Sequence, residues 1–348
     1  MRKRIPLAIA IGLTAALAGC STAAPNAPAQ TSGPMETVRI GVGGITKVIY
    51  APAKLAEQLG YFKDEGLTAV VSDEQNGASV ETEMLAGHLE GVVGFMDHSI
   101  ALQTKGKCVQ SVVQFANVPL EKVMVRTSAA ATTKTAADWK GKQVGYTSTG
   151  SSTDALMQAI AAKAGVKRSD YTPTPVGAGS TFIASIEQAD GILVGMTTPP
   201  TSTLLIKKGT AKVAMDLSTV QGTKDALGGL YPASSLYMTC EWVKAHPRES
   251  QALANAFVKT LRYIKAHTAA EIADKMPADY AGSDKDVYVK SWEETKDGFT
   301  TDGVIDADAM KNVLEIQALV NEDVKAHQSE IKLADTYTTG FVKKVPAA

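Results

Sequence analysis

From Thr37 onward, short runs of β-forming residues alternate with helical runs, and the alternation begins afresh near residue 136. Nothing else in the chain narrows its fold so far, because strands separated by helices pair in parallel through crossovers that lay those helices over the sheet. The first series reads as strands at 38–42, 67–71, 91–95 and 109–115, with helices at 51–59, 79–86 and 98–105. The second reads as a short helix at 136–140, strands at 142–146, 171–176, 191–194 and 211–215, and helices at 152–164, 179–188 and 201–208. Pro173 and Pro175 cannot donate to a ladder, so their strand belongs near a sheet edge or end. One more strand, 235–240, precedes a tail of helices at 248–267, 269–275, 285–295 and 306–324. Phe257, Leu261 and Ile264 share a face of the longest, and a helix without a sheet of its own must bury such a face on an existing lobe. The expected class is α/β, with two largely parallel sheets flanked by helices. The chain leaves the first lobe (37–125 and 231–348) near Val123 to Arg126, builds the second (126–230), and returns near Tyr231. Two crossover strands make a natural hinge.

The N-terminus has a different character. Arg2, Lys3 and Arg4 precede an apolar run at 5–17, too short for a comfortable membrane span, and Leu17-Ala18-Gly19-Cys20 follows. This is a secretory signal over 1–19 whose end resembles the bacterial lipobox, which implies cleavage before Cys20 and its lipidation; a plain cleaved signal with an incidental cysteine is the alternative. Residues 20–36, rich in Ala, Pro, Ser and Thr, read as a flexible tether. Without 1–19 the chain carries 32 Lys+Arg against 36 Asp+Glu, so no basic excess points to nucleic acid. Three cysteines supply neither a disulfide scaffold nor a Cys-rich zinc module. Cys108 and Cys240 both fall on first-lobe strands, where an exported chain permits either a disulfide or two buried thiols.

Ligands of open α/β lobes sit beyond the carboxyl ends of strands. The candidate loops are therefore 43–46, Asn76-Gly77-Ala78-Ser79 and Met96-Asp97-His98 in the first lobe, and 147–153, 177–180 and 196–198 in the second. Glycine lets the backbone approach a solute, and a following helix offers free N–H groups at its positive end. The ligand-binding candidates are Thr46, Tyr50, Gly77, Ala78, Ser79, Asp97, His98, Thr147, Ser151, Ser152, Thr153, Gly179, Thr197 and Tyr231. Ser79, Ser152 and Ser180 serve equally well as plain N-caps. Tyr50, Phe95, Tyr146 and Tyr231 offer flat apolar walls, with core packing the better reading for Phe95. Lys47 is the one cation near a first-lobe cleft loop and reads as a solvated surface residue. No Gly-x-Ser-x-Gly elbow or His-Glu-x-x-His pair is present, so Asp97 and His98 read as hydrogen-bonding rather than catalytic groups, and no metal or cofactor is expected. The loop 147–153 is the sharpest candidate. Gly150 allows an unusual turn, and Ser151 and Ser152 gather hydroxyls and N–H groups where an anionic oxygen would fit without a cationic side chain.

The stretch 52–67 (Pro-Ala-Lys-Leu-Ala-Glu-Gln-Leu-Gly-Tyr-Phe-Lys-Asp-Glu-Gly-Leu) resembles the opening of solute-binding proteins for ABC importers, within them the nitrate/sulfonate/taurine group that also includes binders of thiamine-pyrimidine precursors. Asn76-Gly77-Ala78-Ser79, Met84-Leu85-Ala86-Gly87, Gly94-Phe95-Met96-Asp97, the segment 137–145, Thr149-Gly150-Ser151-Ser152-Thr153 and the stretch 184–190 follow in the family's order, so the likeness covers about 37–260. It implies a two-lobed, type 2 periplasmic-binding-protein-like fold that closes on a small molecule. It further implies a monomer that meets an ABC permease and ATPase outside the cytoplasm, held to the membrane by its lipid. Gly191, where the family commonly has alanine, and Met196-Thr197-Thr198-Pro199-Pro200, in place of an aromatic-rich segment, depart from the pattern; the expected solute is an anion such as sulfonate or nitrate, with aminopyrimidine or a small aromatic acid as the alternative. An enzyme like the iron- and histidine-using pyrimidine synthase of thiamine biosynthesis is the competing class, but that family's cysteine cluster is missing and it works inside cells. A sensor that reports to a membrane kinase is the third.

Overall fold

The computed structural model describes residues 34–74, 76–282 and 284–347; the signal, Cys20 and the tether up to residue 33 lie outside the described residues. In chain order the strands are β1 (Val38–Val42), β2 (Ala69–Asp73), β3 (Gly91–Phe95), β4 (Val109–Gln114), β5 (Lys122–Arg126), β6 (Gln143–Tyr146), β7 (Thr172–Pro175), β8 (Val194–Thr197), β9 (Ala211–Asp216) and β10 (Ser234–Thr239). They form two five-stranded sheets of matching order, β2-β1-β3-β10-β4 and β7-β6-β8-β5-β9. In the first, β1 pairs in parallel with β2 and β3, while β10 runs antiparallel between β3 and β4. In the second, β6 pairs in parallel with β7 and β8, while β5 runs antiparallel between β8 and β9. Each sheet thus has four strands in one direction and one reversed. The proline strand β7 is an edge, as its missing donors require.

The reversed strands are the ones that arrive from the other sheet. The expected boundary at residue 125 therefore cuts through a ladder. Lys122 and Val123 face Thr197 and Met196 on one side and Asp216 and Met215 on the other, so the chain changes sheets within 115–121, before the residues expected to carry the hinge. Leu120, in that stretch, is the one non-glycine residue with a left-handed φ (55°) among the described residues. Its amide donates to Leu217 O, which fixes the turn. The return falls between Leu227 and Ser234.

Phe257, Leu261 and Ile264 are fully buried on the helix Pro247–Ala266, where Phe62 and Phe115 pack on Phe257 with ring centres 5.4 and 5.0 Å away. The later tail, assigned to the first lobe, lies against both sheets' helices. The helix Lys285–Thr295 packs on Thr201–Lys208 of the second sheet, and Ala309–Val320 lies along Ser152–Lys163 while also touching His98–Gln103. Glu294 accepts from Lys122 Nζ (2.6 Å) and Thr203 Oγ1 (3.1 Å), tying the tail to the second sheet. Cys108 and Cys240 are joined in a disulfide beside the bond from Cys240 N to Cys108 O (3.0 Å). At Gly191 a Cβ would lie 1.8 Å from Ser185 O, which accounts for a glycine where the family commonly has alanine.

Candidate functional site

The carboxyl ends of five strands, drawn from both sheets, open on one cavity of about 530 Å³. Beyond β1 it is lined by Thr46 and Lys47, at the end of β2 by Asp73 with nearby Asn76, beyond β6 by Thr147, beyond β7 by 177–181, and beyond β8 by Pro200 and Thr201. Val48 N donates to Pro199 O (3.2 Å), a backbone bond between the β1 and β8 loops. A second cavity of about 340 Å³ lies on the other side of the 147–153 loop, lined by Asp97, His98, Ser151, Ser152 and, from the tail, Gln317. The two share that loop because Thr147 Oγ1, Ser151 Oγ and Thr153 Oγ1 are mutually hydrogen-bonded at 2.7–3.0 Å.

The candidate set is thus divided. Thr46, Thr147 and Gly179 line the larger cavity, and Asp97, His98, Ser151 and Ser152 the smaller. Gly77, Ala78 and Ser79 form the first turn of the helix Gly77–Leu85. Its cap is Asn76, whose side chain accepts from Ser79 N, while Ser79 Oγ turns back to the carbonyls of Glu74 and Asn76. The cap of Ser152–Lys163 is likewise one residue before the expected serine: Ser151 accepts from Asp154 N. Tyr50 is a buried wall, its ring edge-on to Phe95 and 5.5 Å from Lys47 Nζ; Phe95 belongs to the core. Thr197 is buried in β8. Tyr146 has its hydroxyl and ring engaged by Arg168, which also binds Asp154. Lys47 is not a solvated surface residue. It is half-buried, and Nζ donates to Gly43 O (2.7 Å). Burial lowers its pKa against the opposing charges of Glu121 and Asp73.

Four parts of the chain meet at Asp97, which is 2% exposed. Ser152 Oγ donates to Oδ1 (2.8 Å); Tyr231 OH (2.7 Å) and Gln317 Nε2 (3.0 Å) donate to Oδ2. Tyr231 is therefore a hydrogen-bonding group rather than an apolar wall, and burial raises its pKa well above that of a free phenol. His98 holds Glu81 through Nδ1 (3.0 Å), with Nε2 3.4 Å from Ser152 Oγ. Burial works against its charge, but the Glu81 hydrogen bond and the charges of Asp97 and Glu81 prevail and raise its pKa to about 9. Ser152, His98 and Glu81 thus align like a nucleophile, base and orienting acid. A general base must be neutral to take a proton, however; the raised pKa of His98 favours its charged form, and Ser152 Oγ donates to Asp97 Oδ1 instead.

Sequence reasoning passed over Gln317 and Glu121. Gln317 lies on a tail helix, far from any strand loop. Glu121 directly precedes β5, is 3% exposed and keeps Oε2 without a hydrogen-bond partner among the described residues. Burial raises its pKa to about 8, with Lys47 opposing and Asp97 adding to the rise. A lone acid before a strand carries no signal of this in sequence. Among the described residues no cluster of His, Cys, Asp or Glu has metal-binding geometry, and no helix is long and apolar enough to cross a membrane.

A family model described as NMT1/THI5 like matches residues 49–270. A solved structure from Bordetella bronchiseptica is 31% identical, covering 88% of this chain and 96% of that one, with a TM-score of 0.83. The alkanesulfonate-binding protein SsuA from Xanthomonas axonopodis pv. citri, bound to MOPS, aligns at 16% identity over 88% and 99% of the two chains (TM-score 0.70). The periplasmic nitrate-binding protein NrtA from Synechocystis PCC 6803 aligns at 13% over 89% and 88% (0.65). The shared fold is not confined to binding proteins, since the desulfurization enzyme DSZB has it too at 14% over 88% and 98% (0.56). A search of curated protein sequences gives no significant match.

Proposed function

The chain belongs to the NMT1/THI5-like family, and from that footing we propose that it is a solute-binding receptor of an ABC importer, anchored outside the cytoplasm through a lipid on Cys20. The observation that carries this reading is the convergence of five strand ends from both sheets on one cavity large enough for a small metabolite. Its two lobes, each built on one sheet, would close on the solute by bending at 115–121 and 228–233. Besides these two crossings, the lobes are joined by loop contacts such as Val48 to Pro199 and by the tail helices packed on both. Sulfonates and nitrate are the ligands named for structural neighbours. The enzyme reading has one observation in its favour, the Ser152–His98–Glu81 alignment; the raised pKa of His98 favours the receptor over it.

The test is recovery of the natural solute. Protein purified from its native host and then denatured should release one small molecule, unaltered, in equimolar amount by mass spectrometry. Thr46→Trp, which fills the mouth of the larger cavity from an exposed position, should abolish that recovery without unfolding the protein. Retention of solute by Thr46→Trp would move the site elsewhere, and recovery of a chemically changed compound would favour the enzyme. Cys20→Ala should release the protein from membranes; continued fractionation with them would dismiss the anchor.

A further inference from the structure

The expected anion seat at the start of the helix Ser152–Lys163 already holds an anion, and it belongs to the protein. We infer that Asp97 is a built-in counter-anion at the Ser152 end of the smaller cavity and that, with Lys47 of the larger cavity already facing two acids, the receptor takes neutral or cationic solutes. The inference rests on the receptor reading and names the charge class its cleft accepts.

Three donors converge on the Asp97 carboxylate: the Ser152 hydroxyl, the Tyr231 hydroxyl and the Gln317 amide. They come from the second sheet, the returning segment and the tail, so the seat is assembled from all parts of the fold around a group supplied by the loop after β3. Donors placed in this way are what a sulfonate or carboxylate requires, since each oxygen of an anion takes hydrogen bonds from fixed dipoles. A second anion entering here would lose those donors and face the Asp97 charge directly. Two like charges about 4 Å apart near a protein surface repel strongly enough to weaken binding on the order of a thousandfold.

The cations lining the two cavities, His98 and Lys47, each already face an acid. Among the described residues Lys47 is the sole Lys or Arg lining the larger cavity, and it faces Asp73 on the same wall and the buried Glu121 behind it. The smaller cavity is lined by Asp97, Asp154 and Glu322, with His98 as its cation and no Lys or Arg among the described residues. Asp154 is held by Arg168, and Glu81 holds His98. The remaining polar surface of the larger cavity is hydroxyl, amide and backbone, from Thr46, Asn76, Thr147, Ser180 and Thr201, which suits uncharged donors and acceptors or a protonated amine.

Isothermal titration of the purified protein with sodium sulfate, methanesulfonate and nitrate tests the inference without knowledge of the natural solute. The wild-type protein should bind none of them at millimolar concentration. Asp97→Ala, which vacates the seat while leaving its donors, should gain affinity for sulfate or methanesulfonate by about a hundredfold or more, and Ser152→Ala added to it should remove the gain. Specific wild-type binding of any of the three anions would overturn the inference, as would a folded Asp97→Ala that gains nothing. Should Asp97→Ala fail to fold, Asp97→Ser, which removes the carboxylate and leaves a small hydroxyl for the buried donors, takes its place, and lack of any gain there would count equally against it. A protein that captured no natural solute would still acquire the anion on losing Asp97, so failure of the receptor reading and failure of this one are separable.

Discussion

Replacing both Cys108 and Cys240 with serine removes a bridge that spans 132 residues of sequence and holds the ends of neighbouring strands β4 and β10. The whole second sheet, β5 through β9, lies inside that loop. In the unfolded chain the bridge forbids all conformations in which the loop is open. For a loop of this length the chain-entropy account gives about 5 kcal/mol, near the top of the range measured for single disulfides. The native state adds little to the balance, because β4 and β10 stay paired through Val109–Thr239 and the Cys240 to Cys108 backbone bond whether or not the sulfurs are joined. For a chain of this size, 5 kcal/mol corresponds to a fall in Tm of roughly 8 °C. Differential scanning calorimetry of the wild type and the double serine variant gives the number directly. Alkylation under denaturing, non-reducing conditions tests the premise, since both cysteines should resist modification until reductant is added. A melting difference under about 2 °C would refute the entropic argument, and ready alkylation without reductant would remove the bridge itself.

Stability should fall as pH rises from about 6.5 to 9. The folded pKa of His98 lies above its unfolded value, so its contribution is complete below about 6.5 and disappears through about 9, on the order of 3 kcal/mol; Glu121, raised to about 8, changes stability in the same direction at lower pH. Urea titrations at pH 6.5 and 9.5 check this, and equal midpoints would contradict it. Ser152→Ala should cost about 1.5–3 kcal/mol by stripping a donor from a buried carboxylate, against about 1 kcal/mol for the true cap Ser151→Ala. The reverse ranking in chemical denaturation would mean that the Asp97 seat adds little. Gly191→Ala should destabilise by about 1–3 kcal/mol because its methyl would meet Ser185 O rather than a movable side chain; an unchanged Tm would show that the helix end yields.

Local order along the chain was readable because it is written locally. The restart near residue 136, the proline edge strand and the buried face of Phe257, Leu261 and Ile264 each follow from nearby residues and appear in the structure as expected. The sheet that owns Lys122–Arg126 was not readable in this way, because strand partners depend on residues some seventy to ninety positions away, at 194–197 and 211–216. The cap positions slipped because serines and asparagines cluster at 76–79 and 151–152, and sequence alone does not say which one leaves the helical conformation. The candidate loops do surround the cavities. Their division into two, and the meeting of Ser152, Tyr231 and Gln317 on Asp97, join residues that lie 55, 134 and 220 positions apart, which no local signal reveals.

The central place of β10 in the first sheet bears on the order in which the chain can fold as it is made. β10 separates β3 from β4, yet its residues 234–239 follow the entire second sheet in sequence. While the nascent chain emerges, β1, β2 and β3 can pair, and β5 through β9 can complete their own sheet, but β4 has no neighbour until residue 239 is out. A chain whose first-made half cannot close until two thirds of it has been synthesised stays loosely folded during early translation.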